Sequence, residues 1–94
     1  MDISVVVCLL NEEESLPELA AWIKRVMDKH KFTYEILMVD DGSTDTSWEI
    51  IENLAAGNEH VRGIKFKRNY GKSAALNTGF QHAKGDVVIT MDAD

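Results

Sequence analysis

The sequence predicts an α/β domain of the doubly wound type, a βαβαβαβ parallel half-sheet with strand order 3-2-1-4. Three observations predict it. Ile3 to Leu10 (ISVVVCLL), Tyr34 to Val39 (YEILMV) and Val87 to Met91 (VVITM) are continuous apolar runs, the mark of strands covered on both faces. The segments between them repeat apolar residues at helical spacing. Strictly alternating strands and helices require parallel strands joined by right-handed crossovers, and 3-2-1-4 is the simplest such order, with its switch point between the first and fourth strands.

Each element has its own justification. The first strand is Ile3 to Leu10. The first helix carries Leu16, Leu19, Ala20, Ile23, Val26 and Met27 on one stripe, opens with Ser15 and Glu18 at capping-box spacing, and tolerates Pro17 in its first turn. After the second strand, Thr46 and Glu49 repeat the capping-box spacing ahead of a stripe of Trp48, Ile51, Leu54 and Ala55, and Gly57-Asn58 stops that helix. Val61 to Phe66 alternates and contains Gly63, which reads as a strand nearer an edge. The third helix, about Ser73 to Lys84, would bury Ala75, Leu76, Gly79, Phe80 and Ala83 before Gly85 ends it. Trp22 and Trp48 read as core, and so does Cys8 inside the first strand. No repeat, linker or charge block divides the chain, so residues 1–94 read as a single domain.

Composition narrows the function. With 10 Lys plus Arg against 16 Asp plus Glu, the net charge of −6 argues against nucleic acid as a partner, since phosphate contacts need clustered cations. A lone cysteine cannot form an internal disulfide, there is no apolar run of membrane-spanning length, and the start Met1-Asp2-Ile3 lacks a basic signal region; these point to a cytoplasmic protein.

Parallel strands all end on one rim, and open α/β sheets bind ligands there. Behind the four strands stand Asn11-Glu12-Glu13-Glu14, then Asp40-Asp41-Gly42-Ser43-Thr44-Asp45, then Lys67-Arg68-Asn69-Tyr70-Gly71-Lys72, and finally Asp92-Ala93-Asp94. Asp92 and Asp94 are spaced to reach one hard cation, Mg²⁺ or Mn²⁺, that also binds phosphate oxygens. A solvated carboxylate pair is the rival reading, weakened by the position at the end of an apolar strand. Asp41 can accept a hydrogen bond from a base or ribose, whereas Ser43, Thr44, Asp45 and Thr46 are plausible helix caps, and Asp40 stays open between the two roles. Glu13 and Glu14 suit a helix N-terminus, leaving Glu12 as the site candidate. Lys72, at a helix start behind Gly71, suits a diphosphate or simply a solvated surface. Glycine is too sparse for a dinucleotide loop or P-loop, no G-x-S-x-G elbow is present, and His30, His60 and His82 have no metal-ligand spacing and lie away from the rim.

Together, I-S-V-V-V-C-L-L-N-E-E-E (Ile3 to Glu14), V-D-D-G-S-T-D (Val39 to Asp45), R-N-Y-G-K-S-A-A-L-N-T-G-F (Arg68 to Phe80) and G-D-V-V-I-T-M-D-A-D (Gly85 to Asp94) resemble glycosyltransferase family 2, inverting enzymes of GT-A fold. The third motif resembles the branch that charges polyprenyl or dolichyl phosphate with a sugar. The resemblance implies a metal-dependent transferase using a UDP- or GDP-linked sugar donor and a lipid-phosphate acceptor at the cytosolic membrane face. It implies that Glu12 and Asp41 contact the nucleotide, Asp41 through a base N–H, and that Leu10 walls the base pocket where the family often has Tyr. Asp92 would approach the ribose or the metal, Asp94 would hold the metal, and Lys72 would lie near the phosphates. The family commonly has Pro where Cys8 stands. Its members carry the acceptor site and catalytic base beyond the D-x-D, so the expectation is a nucleotide-binding portion, inactive alone, with no catalytic residue of its own. Two other readings stay open: an Mg²⁺-dependent phosphotransfer domain of receiver or phosphatase type, which would want an Asp where Asn11 follows the first strand, and a non-catalytic assembly module forming a homodimer through an exposed sheet edge.

Overall fold

The structure, a computed structural model, describes residues 1–93; Asp94 lies outside the described residues. Its elements are β1 (Ile3–Leu9), α1 (Leu16–His30), β2 (Tyr34–Asp40), α2 (Ser47–Gly57), β3 (Val61–Lys65), α3 (Lys72–His82) and β4 (Val87–Asp92). All four strands are parallel, in the predicted order β3-β2-β1-β4.

The apolar runs explain the layering. Every residue of β1 and β2 is buried, and successive side chains go to opposite faces. Val5, Val7, Ile36 and Met38 pack with Leu16, Ile23 and Ile51 of α1 and α2, whereas Val6, Cys8, Leu37 and Val39 pack with Ala75 of α3 on the other face. Each fully buried aliphatic side chain contributes about 1.5–3 kcal/mol, so these two central strands carry most of the core. Gly63 in β3 has a packing role: a Cβ there would come within 2.5 Å of Ile51 Cγ2, so its absence lets α2 close on the strand.

Five expectations need correction. β4 is not covered on both faces: Val87, Val88 and Ile89 are 56%, 39% and 36% exposed, because among the described residues β4 lies at the sheet edge beside β1 and no helix packs closely across it. Trp22 is not core but 47% exposed on α1, and Phe80 of α3 is half-exposed rather than buried. Neither capping box forms. The Ser15 hydroxyl instead donates to Glu12 Oε2, and the Thr46 hydroxyl donates to the Glu13 carboxylate, so both are taken by the loop between β1 and α1. The third helix also begins and ends slightly early, at Lys72 and His82.

A buried polar clamp closes the rim at the N-terminal ends of the strands. Glu35, 4% exposed, accepts from the Ser4 hydroxyl (2.6 Å), the Lys84 amide (2.7 Å) and Arg62 Nη2 (2.7 Å). Ser4 Oγ in turn accepts from the Gly85 amide at 2.7 Å, and Arg62 also donates to the His82 carbonyl at 3.0 Å. Burial alone would raise the Glu35 pKa, but the bonds from Ser4, Lys84 and Arg62 outweigh it and hold the carboxyl below its ordinary value. The clamp ties the end of α3 to three strands and thereby fixes where β4 enters the sheet.

Candidate functional site

At the opposite rim, where the strands end, a cleft of about 370 Å³ opens between the loops. Leu10, Glu12, Asp41, Lys72 and Asp92 all line it, so the structure brings together every predicted nucleotide-site residue; Asp94 lies outside the described residues. Leu10 stands one residue past the end of β1, 42% exposed, and supplies an apolar wall. The three histidines lie outside this lining. His60 instead stacks on Tyr34 with ring centroids 4.2 Å apart.

One side of the cleft is built by two loops bonded to each other. Asn11 adopts the left-handed conformation (φ 55°), which Asn tolerates better than most residues. Its Oδ1 accepts from the amides of Thr44 (2.8 Å) and Asp45 (3.3 Å), and its own amide donates to Ser43 Oγ at 2.8 Å. The Glu12 amide donates to Ser47 Oγ at 3.0 Å, and the Thr46 amide donates to Glu13 Oε2 at 2.9 Å. Glu13 thus serves the start of α2 rather than α1. Asp40, fully buried, accepts from the Ser43 amide at 2.8 Å through Oδ1 and so shapes the turn, while its buried Oδ2 has no hydrogen-bond partner among the described residues. Asp45 accepts from the Ser47 amide at 2.9 Å; burial opposes its ionisation, but its bonds from Ser47 and Glu13 prevail and lower its pKa.

The other side is fastened through Asp41, which is 6% exposed. Its Oδ1 accepts from the Tyr70 amide at 2.8 Å and its Oδ2 from the Gly71 amide at 3.1 Å. Gly42 (φ +84°) makes this approach feasible, since a Cβ there would sit 2.4 Å from the Arg68 carbonyl carbon. Gly71 then turns the chain into α3, and Lys72, its first residue, reaches across to Asp92 with Nζ 2.8 Å from Oδ2. Asp92 itself is placed by the pairing of β4 with Cys8 of β1.

Sequence reasoning missed the structural half of this site: Asn11, Ser43, Ser47 and Glu13. The available signal was an Asn directly after a buried strand, a position where the chain must reverse.

The donor chemistry at the cleft is hard. Glu12, Asp41 and Asp92 offer carboxylate oxygens, and burial, with the Asp92 charge second, raises the pKa of the neighbouring Cys8 thiol, which disfavours thiolate ligation. Among the described residues no group of three His, Cys, Asp or Glu side chains is gathered to hold a metal. Such a set suits a cation held by one or two carboxylates and completed by phosphate and water oxygens, as Mg²⁺ and Mn²⁺ are.

Residues 4–94 match the family model for Glycosyl transferase family 2. The chain is 46% identical over 93 residues to the undecaprenyl-phosphate 4-deoxy-4-formamido-L-arabinose transferase of Shewanella sediminis, covering 98% of this chain and 28% of that protein. Among solved structures it is similar to the mannosyltransferase PcManGT from Pyrobaculum calidifontis in complex with GDP-Man and Mn²⁺ (TM-score 0.83, 29% identity, 98% of this chain and 27% of that one). It is similar also to S. aureus TarS 1-349 in complex with UDP-GlcNAc (TM-score 0.81, 28% identity, 100% of this chain and 27% of that one). The chain therefore spans a little over a quarter of the length of these proteins.

Proposed function

We propose, from the premise that this chain belongs to glycosyl transferase family 2, that it forms the nucleotide-sugar-binding portion of a metal-dependent transferase that passes a sugar from a nucleotide-diphosphate donor to a polyprenyl phosphate. The observation that carries this reading is the convergence of Leu10, Glu12, Asp41, Lys72 and Asp92 on one cleft at the carboxyl ends of parallel strands. Support for the donor class comes from the UDP-GlcNAc and GDP-Man named for the two structural neighbours, and for the acceptor class from the undecaprenyl phosphate named for the relative.

In this reading Leu10 covers one side of the base, and Asp41, whose carboxylate already gathers two loop amides, takes a base N–H. Glu12 meets the ribose side. Lys72 and the first amides of α3 meet the diphosphate, because a helix start presents unpaired N–H groups and a partial positive charge. Asp92, with Asp94, would hold the Mg²⁺ or Mn²⁺, whose contribution is to neutralise charge on the departing diphosphate. The carboxylates present fit such a cation. Cytoplasmic placement at the inner membrane face belongs to the same proposal and follows from a lipid acceptor; no described helix is long and apolar enough to cross a membrane.

Titration of the chain with UDP and GDP, with and without Mn²⁺, followed by backbone amide NMR, tests the reading. Metal-dependent shifts at Glu12, Asp41, Lys72 and Asp92 are expected, and the tighter nucleotide identifies the base. An unperturbed spectrum at millimolar nucleotide and Mn²⁺ refutes it. The open outer edge of β4, with Val87, Val88 and Ile89 exposed, favours a second and compatible reading in which two copies pair edge to edge. Sedimentation equilibrium across a hundredfold range of concentration tests it, and a monomer throughout rejects it.

A further inference from the structure

Lys72 is the cation among the described residues that line the cleft, and it lies against Asp92. The two ends of this ion pair differ in mobility. Asp92 is set by the β1–β4 pairing, and the backbone that carries Lys72 is set by the amides of Tyr70 and Gly71 on Asp41. The lysine stem is the movable part. Both side chains keep solvent, 60% exposed for Lys72 and 49% for Asp92, so the pair is screened and easily exchanged. Ammonium and divalent cation would compete for the same carboxylate oxygens, whereas a diphosphate offers the ammonium more negative charge than Asp92 does.

We propose that Lys72 is a stand-in for the divalent cation: in the nucleotide-free protein its ammonium occupies Asp92, and on arrival of a nucleoside diphosphate it moves to the phosphate oxygens and frees the carboxylate for Mg²⁺ or Mn²⁺. The proposal rests on the nucleotide-diphosphate reading above and adds an order to it. The cation alone binds weakly, and cation and diphosphate bind together. No covalent bond is made or broken: the Lys72–Asp92 contact is lost, and an ammonium–phosphate and a cation–carboxylate contact form in its place.

The test is Mn²⁺ binding measured from the free-ion EPR signal, for the 94-residue chain and for Lys72→Gln, with and without the nucleotide that binds best. Expected for Lys72→Gln is tighter binding of Mn²⁺ alone, by up to about fivefold, the value of one solvent-exposed ion pair. Weaker binding of the nucleotide in the presence of Mn²⁺ is expected beside it, by about tenfold or more for one lost charge-assisted bond. Opposite signs in the two measurements are the signature. Unchanged Mn²⁺ affinity, or a loss in both, overturns the exchange, provided the amides of Tyr70 and Gly71 keep their shifts in the variant. Asp92→Asn separates a folding defect from the exchange: it should abolish the gain when combined with Lys72→Gln, and a gain that survives overturns the proposal. A wild-type chain that binds no nucleotide with Mn²⁺ removes the underlying reading instead, whereas wild-type binding with no opposite shift in Lys72→Gln removes the exchange alone.

Discussion

Removing the Glu35 carboxylate should cost this fold heavily, because three donors converge on it. Replacing Glu35 with Ala leaves the part-buried Lys84 amide and the buried Ser4 hydroxyl without their acceptor at 2.7 and 2.6 Å, and Arg62 without its carboxylate. An orphaned buried donor costs about 1–3 kcal/mol, and Arg62, 40% exposed, recovers part of its loss in water. The sum is about 3–5 kcal/mol, against a total of about 5–14 kcal/mol for a domain of this length. Glu35→Gln keeps the shape and one carbonyl acceptor, so roughly half that cost is expected. Urea unfolding at pH 7, followed by far-UV circular dichroism, should show the midpoint falling at constant slope. The pH dependence adds a second check. Because the folded carboxyl lies below its ordinary 4.5, its stabilisation is fully present above that value and is lost as the pH falls through the folded pKa. The gap between wild type and Glu35→Gln should therefore hold steady from pH 8 to about 5 and shrink below about 4.5. A cost of Glu35→Ala under about 1 kcal/mol, or a gap that widens on acidification, would refute the reasoning.

Three further outcomes follow from the same structure. Gly42→Ala combines a left-handed φ with a Cβ 2.4 Å from the Arg68 carbonyl carbon, so it should destabilise by about 2 kcal/mol or more and shift the Tyr70 and Gly71 amides, read by denaturation and NMR. Glu13→Ala should cost about 1 kcal/mol, the value of a helix cap, because its carboxylate serves the Thr46 amide, whereas Glu18→Ala should change stability by less than about 0.5 kcal/mol; equal effects in a melting comparison would be contrary to the capping assignment. Val87→Lys at the exposed start of β4 should likewise leave thermal stability within about 0.5 kcal/mol, and a loss typical of core polar substitutions would mean that β4 is covered after all.

How much of this was legible in the sequence depends on the kind of interaction that decides each element. The strand order and the two-faced core follow from apolar runs and helical stripes, because burial of side chains at fixed periods is what builds them. Val87 to Met91 differs for a related reason: an apolar run reports that a strand can be covered, and what covers it is a matter of the helices beside it, which among the described residues do not pack closely on β4. Trp22 and Phe80 fell beside their stripes, where a few tens of degrees around a helix separate core from solvent. Neither capping box forms because each hydroxyl has a competing carboxylate: Ser15 turns back to Glu12 three residues before it, and Thr46 meets Glu13 on the distant loop after β1, which no local rule reaches. Glu35 left a signal that went unused: a lone carboxylate inside an apolar central strand almost always has a buried partner.

The two rims of the sheet divide the work between them. At the rim where the strands begin, Glu35, Ser4 and Arg62 join side chains to one another and to the end of α3, a closed network that fixes the sheet. At the other rim, Asn11, Asp41, Glu13 and Oδ1 of Asp40 serve backbone amides of the loops. Side chain to backbone bonding of that kind fixes the loops without filling the cleft, so Leu10, Glu12, Lys72 and Asp92 are left facing it. Asp41 belongs to both groups, since it lines the cleft and holds the turn that presents Lys72. A ligand hydrogen-bonded to Asp41 would thus be sensed directly by the turn into α3. In the proposed nucleotide reading, a change around the base would therefore be felt around the diphosphate, across one carboxylate and one glycine.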